Sequence, residues 1–485
     1  MRAALIFTVI FATTIFACQP PATAETVRKQ DKVRTLSLQE ATRLAIQQNP
    51  DVLRAIQDIE TAYGVFIQVR AEALPLVNLG TSYNQTQETI ATGSRNDKSW
   101  QVTLQVTQPL YTGGQVGASI RIARLTQSSS YYALEEVILS VVAEVRKEFA
   151  LILLNRALIE VQKQTIELLN RQLQDTKNRF EAGTVPRFDV LRAEVEVANA
   201  TPALIQAENG YRLSRFRLAT LLGINPGALD SPEPPIDVVG DLVTTPPPIG
   251  LVAALAYARE NRAVLKVREQ NIDIGVEQIK VARSGYLPTV AASGGYLTRN
   301  NPAETALNQT NQGWFVGLTG SWNVWDSGAT KGLVDQAKSQ LEIAKISYDE
   351  AERLVALEVQ DAYSRIEEAK AIIVSQEANV EQAFEALQLG EARFAAGAST
   401  QVEVLDARVA LTTAQVAELQ ARFLYTFALA DVLRVTAFDT KYDARIDDPL
   451  IRKAQPVDPS ERANQRDVRP KRGNAPYTDV PKVAR

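Results

Sequence analysis

The chain has 485 residues, 52 Lys and Arg against 56 Asp and Glu, no His and a single Cys. A net charge of -4 and a pI near 5.4 leave no concentrated basic face for nucleic acid. Without His, and with Cys18 alone, the usual metal sites and nucleophile–base pairs lack their residues, so no catalytic group, metal or cofactor is expected.

A carboxylate-only hydrolase would need two acids about 5 to 10 Å apart in a cleft. No cradle, elbow or cluster motif accompanies the acids here.

Met1-Arg2 and the apolar run from Ala3 to Ala17 read as a secretory leader. About fifteen apolar residues suit a signal core and fall short of a membrane span. Ala22-Thr23-Ala24 offers a small-x-small cleavage site, which makes residues 1–24 the signal peptide and Glu25 the mature start. The rival reading cuts before Cys18, behind Ile15-Phe16-Ala17, and lipidates it. No later segment holds some eighteen consecutive apolar residues, so a membrane span has to be built from strands.

Helical spacing starts at Leu38, with Ser37 as its cap, and stops before Pro75. Two strands follow, at about 76–88 and 99–110. In the second, Trp100, Val102, Leu104, Val106 and Leu110 alternate with Gln101, Thr103, Gln105 and Thr107. Successive strand residues take opposite faces, so one face is apolar and the other wet. A soluble half-buried sheet gives the same alternation. A Gln, Thr and Ser face suits a water-filled lumen, and Tyr and Trp at strand ends suit an aromatic girdle.

From Val116 to Phe180, apolar residues such as Val137, Val141, Val145, Phe149, Ile152 and Leu169 recur at helical spacing. A helix of this size would be about 100 Å long, a length used for coiled coils rather than globular interiors. It breaks at Gly183-Thr184-Val185 and resumes after Pro186. Residues 224–250 carry Pro232, Pro234, Pro235 and Pro246-Pro247-Pro248, an extended connector.

The same order then returns at an offset of about 213 residues: Arg70, Pro75 and Tyr83 become Arg283, Pro288 and Tyr296. Asn49 with Leu53 matches Asn261 with Leu265, and Trp100 matches Trp314. A helix over 251–286 precedes strands at about 289–299 and 313–324, where Trp314, Val316, Leu318 and Trp322 form the apolar face. A long helix over about 334–394 ends at Gly397-Ala398-Ser399. The chain is thus two structural repeats, 25–223 and 251–438, with a charged, Pro-containing tail over 439–485 expected to be disordered.

Leu36-Ser37-Leu38-Gln39-Glu40-Ala41, Asn49-Pro50, the strand pairs and the two Gly breaks, in this order and duplicated, resemble the TolC family of outer-membrane efflux channels. The resemblance covers Leu36 to Phe438. It implies a mainly α fold with membrane β-barrel strands, four per chain, closing a 12-stranded barrel in a homotrimer. It implies outer-membrane lipid around the barrel, and a periplasmic adaptor protein and an inner-membrane pump as partners. The protein is then a passive duct for efflux or type I secretion and not an enzyme.

In the family the Gly turns lie at the periplasmic tip and meet the adaptor, which places Gly183, Thr184, Val185, Gly397, Ala398 and Ser399 there. Glu403 and Asp406 resemble its acidic constriction, and Asp189 and Phe394 its tip-helix ties. Phe394 stands where the family has Tyr, and an Arg is replaced near Ser399, so the gate is expected to be held differently. Thr400-Gln401-Val402-Glu403 is also a capping box, whereas Asp406 lies too deep for a cap. A periplasmic coiled-coil scaffold without a pore is the competing reading; it explains the long helices but not the wet strand face.

Overall fold

The computed structural model describes residues 34–85, 98–224, 234–242, 244–300, 307 and 309–438. The leader with Cys18, the tail from Asp439 and parts of the connector lie outside these residues.

A short strand β1 (Arg34–Leu36) leads into α1 (Leu38–Gln48). Ser37 caps it: its hydroxyl accepts from Glu40 N at 3.3 Å, and the Glu40 carboxylate accepts from Ser37 N at 2.9 Å. This capping box satisfies two otherwise orphaned donors. The helix expected to run unbroken to Pro75 divides at Asn49, and α2 (Pro50–Ala71) begins there. Pro50 lacks the N–H that a first-turn position leaves unpaired, and its ring cannot sit inside the preceding helix. The Asn49 side chain accepts from Asp51 N at 2.7 Å and Val52 N at 3.3 Å.

The second repeat makes the same break. α5 (Leu251–Asn261) and α6 (Ala263–Arg283) meet at Arg262, which holds the cap position. The structural partner of Asn49 is therefore Arg262 rather than Asn261, one residue beyond the match read from the sequence.

Strands β2 (Leu76–Gln85), β3 (Lys98–Tyr111), β5 (Thr289–Asn300) and β6 (Thr310–Ser321) form one antiparallel sheet in the order β2-β3-β5-β6. β6 ends before Trp322, and so short of the predicted 313–324. Cross-strand partners share a face, so the rows Leu79–Leu104–Tyr296–Trp314 and Val77–Val106–Gly294–Val316 run across all four strands on one side. Among the described residues both outer strands keep an unpaired edge in the single chain.

The sheet is followed in each repeat by a helix of 67 residues, α3 (Gln115–Glu181) and α7 (Ala329–Ala395), each folding back as α4 (Arg187–Leu221) and α8 (Gln401–Thr436). Each repeat has its own apolar core. One gathers Val52, Ile56, Val145, Ile152 and Leu218; the other gathers Leu265, Val355, Val359, Tyr363 and Val432. Among the described residues no helix is long and apolar enough to cross a membrane.

The connector contributes a strand that local pattern did not announce. β4 (Ile236–Val238) pairs in parallel with β1. Arg215 Nε donates to Ile236 O at 2.6 Å, Arg156 Nη1 donates to Val238 O at 3.0 Å, and Tyr211 donates to Asp237 at 2.6 Å. Burial, with the Asp237 carboxylate beside it, pushes the Tyr211 hydroxyl up to about 12.

Candidate functional site at the hairpin tips and the strand face

The two hairpins end alike. Gly183 has φ +72° and Gly397 has φ +74°, left-handed values at which a side chain is strained. Gly183 N donates to Phe180 O at 2.9 Å and Thr184 N to Arg179 O at 2.9 Å. Gly397 N and Ala398 N repeat this with Phe394 O and Arg393 O at 3.0 and 2.8 Å. These paired bonds satisfy the last carbonyls of α3 and α7 in the Schellman manner. Thr184, Ala398 and both glycines are exposed, with Val185 and Ser399 half-buried, so the turns present backbone to the surroundings.

Past the second turn, Thr400 caps α8 by accepting from Glu403 N at 3.4 Å. The Glu403 carboxylate accepts from the Ser399 hydroxyl at 2.9 Å and lies 3.9 Å from the Arg393 guanidinium. The Ser399 hydrogen bond, helped by Thr400 and Arg393, holds its carboxyl below the ordinary value. Glu403 thus serves the helix end while its side chain stays half exposed. Asp406, one turn deeper, is exposed and has no hydrogen bond or ion pair among the described residues. Val404 and Leu405 between them are buried, so both acids leave the packed side of the helix.

Asp189 lies in the first turn of α4, where negative charge complements the helix dipole. Its side chain has no partner within the chain among the described residues. Phe394 is tied instead to Arg179, whose guanidinium sits 5.1 Å from the ring centre, a cation–π contact between the hairpins. Gln401 adds a second link, donating to Thr176 Oγ1 at 3.2 Å. Sequence reasoning missed Arg179, Gln401 and the buried Arg408. Arg408 left a signal: a charge four residues after Val404, inside the apolar stripe of α8.

On the sheet, Leu104, Val106, Trp314, Val316 and Leu318 are exposed, Trp314 at 79%. Large apolar side chains left bare on one sheet face mark a contact with lipid or protein. Trp100 and Val102 share that face but are half-buried. The Trp100 indole N–H donates to Leu307 O at 3.1 Å, which fixes the ring at the strand end. Gln101 and Gln105 on the other face donate to Thr103 and Thr107 at 3.0 and 3.4 Å. Among the described residues no group of three or more Cys, Asp or Glu could hold a metal ion.

Long paired hairpins, an open-edged sheet with one bare apolar face and acids beyond a Gly turn define an outer-membrane channel subunit. The outer membrane efflux protein family matches residues 41–224 and 254–437, one match per repeat, and the chain belongs to this family. It is an outer-membrane protein that extends into the periplasm. It is 24% identical over 388 residues to nodulation protein T of Rhizobium leguminosarum bv. trifolii, covering 76% of this chain and 79% of that one. It is 25% identical over 390 residues to outer membrane protein TolC of Escherichia coli, covering 78% and 77%. The CmeC outer membrane channel of Campylobacter jejuni superposes with a TM-score of 0.73 at 16% identity, over 87% of this chain and 90% of that one.

Proposed function

We propose that three copies of this chain close one barrel of twelve strands, four from each, continued by a tunnel of paired helices. The observation that carries this is the sheet itself: β2 and β6 keep open edges beside a bare apolar face. Four strands are too few to close, and an unpaired edge in lipid is prohibitive, so neighbouring chains supply the missing pairs. The protein does no chemistry. It is the exit duct of an efflux or type I secretion assembly, driven by an inner-membrane pump through a periplasmic adaptor that meets the turns at Gly183 and Gly397.

Glu403 and Asp406 form the periplasmic constriction. Threefold repetition places about six negative charges around a narrow axis and focuses the field there. Single-channel current in planar bilayers tests this, with divalent cations added from the tip side. Block is expected in the native channel, weakened sharply by Asp406→Asn and nearly abolished when Glu403→Gln is added. Unchanged block in the double variant removes the constriction from these acids.

A further inference from the structure

The two repeats differ where each sheet runs into its long helix. In the register that matches Trp100 to Trp314, Trp322, Trp325 and Lys331 stand in place of Gln108, Tyr111 and Gly117. Trp322 and Trp325 are exposed, Trp325 at 86%, and Val324 between them is bare as well. The Trp322 indole N–H donates to Tyr286 O at 3.1 Å, which ties the end of β6 to the chain leaving α6. One residue earlier, Gly285 lies so close to Thr330 that a Cβ there would stand 2.7 Å from Thr330 Oγ1. Arg283 and Lys331 flank this contact in sequence. Both are exposed, and neither side chain has a hydrogen bond or ion pair among the described residues. The neighbouring charges are already used. Lys280 holds Glu277, Lys338 holds Asp335, and Asp326 accepts from Gly328 N and Thr330 N at 3.0 and 2.7 Å.

We propose that this corner of the second repeat holds the headgroup of one anionic phospholipid from the periplasm-facing leaflet. The proposal rests on the lipid-facing sheet argued above and names the lipid chemistry met at its end. A tilted strand of about ten residues crosses a bilayer, so a side chain just past Ser321 stands at the headgroup level. Indole rings settle at that level, their apolar body toward the acyl chains and their N–H toward water. A ring alone selects no headgroup. Two unpaired cations beside it do, because each attracts anionic lipid near the surface. The Arg283 guanidinium can grip two phosphate oxygens at once, and the Lys331 ammonium adds a point charge. With Gly117 in place of the lysine, the first repeat lacks the second cation, so there is one site per chain.

Fluorescence quenching in vesicles tests this on the full chain. The tryptophans are Trp100, Trp314, Trp322 and Trp325, so Trp100→Phe with Trp314→Phe leaves only the two at the site. The vesicles mix phosphatidylglycerol and phosphatidylcholine in equal parts, and one or the other carries brominated acyl chains as the quencher. The association constant at the site is expected to be about fivefold higher for phosphatidylglycerol. Arg283→Gln with Lys331→Gln should make the two lipids equal, and Arg283→Lys with Lys331→Arg should keep the preference. Both side chains are exposed and unpaired, so neither exchange disturbs the fold. Equal quenching by the two lipids in the parent protein, or an unchanged preference in the double Gln variant, would overturn the headgroup site and leave the barrel intact. Absence of quenching by either lipid would overturn the lipid-facing sheet, and the site with it.

Discussion

Asn49 and Arg262 occupy the same corner of the two repeats, and each donates to a main-chain carbonyl 172 residues further on, Leu221 O and Arg434 O. The small amide also caps its helix. The guanidinium cannot accept a hydrogen bond, and it spends its remaining reach on Glu136 and Glu358 at 3.2 and 3.1 Å. Glu136 belongs to α3, so Arg262, only 3% exposed, fastens the second repeat to the first. Through Glu358, Arg434 and Asp431 the charges continue to Lys147, back on α3.

Removing Arg262 leaves Glu136 and the Arg434 carbonyl without their donor and Glu358 with Arg434 alone. Arg262→Ala is expected to cost about 3 kcal/mol, the low end for a buried pair because both acids reach solvent. Asn49→Ala loses a cap and one buried bond, about 1 to 2 kcal/mol. Thermal unfolding followed by circular dichroism should therefore show the larger drop in midpoint for Arg262→Ala. A smaller drop than that of Asn49→Ala would refute the ionic tie.

Glycines with the same backbone sign differ in what surrounds them. At Gly223, φ +69°, a Cβ would stand 2.2 Å from Gln48 O, whereas at Gly183 it would meet nothing. Gly183→Ala should cost only the left-handed strain, about 1 kcal/mol. Gly223→Ala must also push α1 away from α4 and should cost several times more. Comparing the unfolding midpoints of the two variants checks this.

Arg placed on the bare sheet face should be punished, and on the polar face tolerated. Leu318→Arg puts charge into lipid at about 2 to 4 kcal/mol near the bilayer midplane. Thr319→Arg, the next residue on the strand, enters the lumen. Trimer recovered from membranes is the readout. Equal losses for the two variants would contradict a lipid-facing sheet.

Glu148 carries a buried carboxylate oxygen with no hydrogen-bond partner among the described residues, and burial pushes its pKa up against the pull of Arg217. The folded chain therefore holds this proton more tightly than the unfolded chain. Stability falls as pH rises from the ordinary carboxylate value, about 4.3, through the raised one. Glu148→Gln should raise the unfolding midpoint at pH 7, and the gain should vanish below about pH 4. Parallel midpoint–pH curves for the two proteins would show that burial of this charge costs nothing.

What the sequence determined by itself is whatever a local period or a stereochemical rule can state. Alternation from Trp100 to Val106 puts side chains on opposite faces in any strand. Helical spacing from Val137 to Leu169 makes a long helix whatever it packs against, and Gly183 and Gly397 end such helices because a left-handed residue must. Duplication at one offset made the repeats legible, and the break at Asn49-Pro50 was also written locally, though read through. Glu403 was legible as a cap for the same reason.

The tertiary structure alone decided contacts between residues far apart in the chain, where no period links cause and effect. Pairing of β1 with β4 joins Leu36 to Val238, and the Arg179–Phe394 and Arg408–Glu391 contacts depend on how the helices pack. The shift of the Asn49 counterpart to Arg262 belongs here too. Two different side chains can fill one corner when each satisfies the same carbonyl, and sequence matching sees the residue type and not the carbonyl.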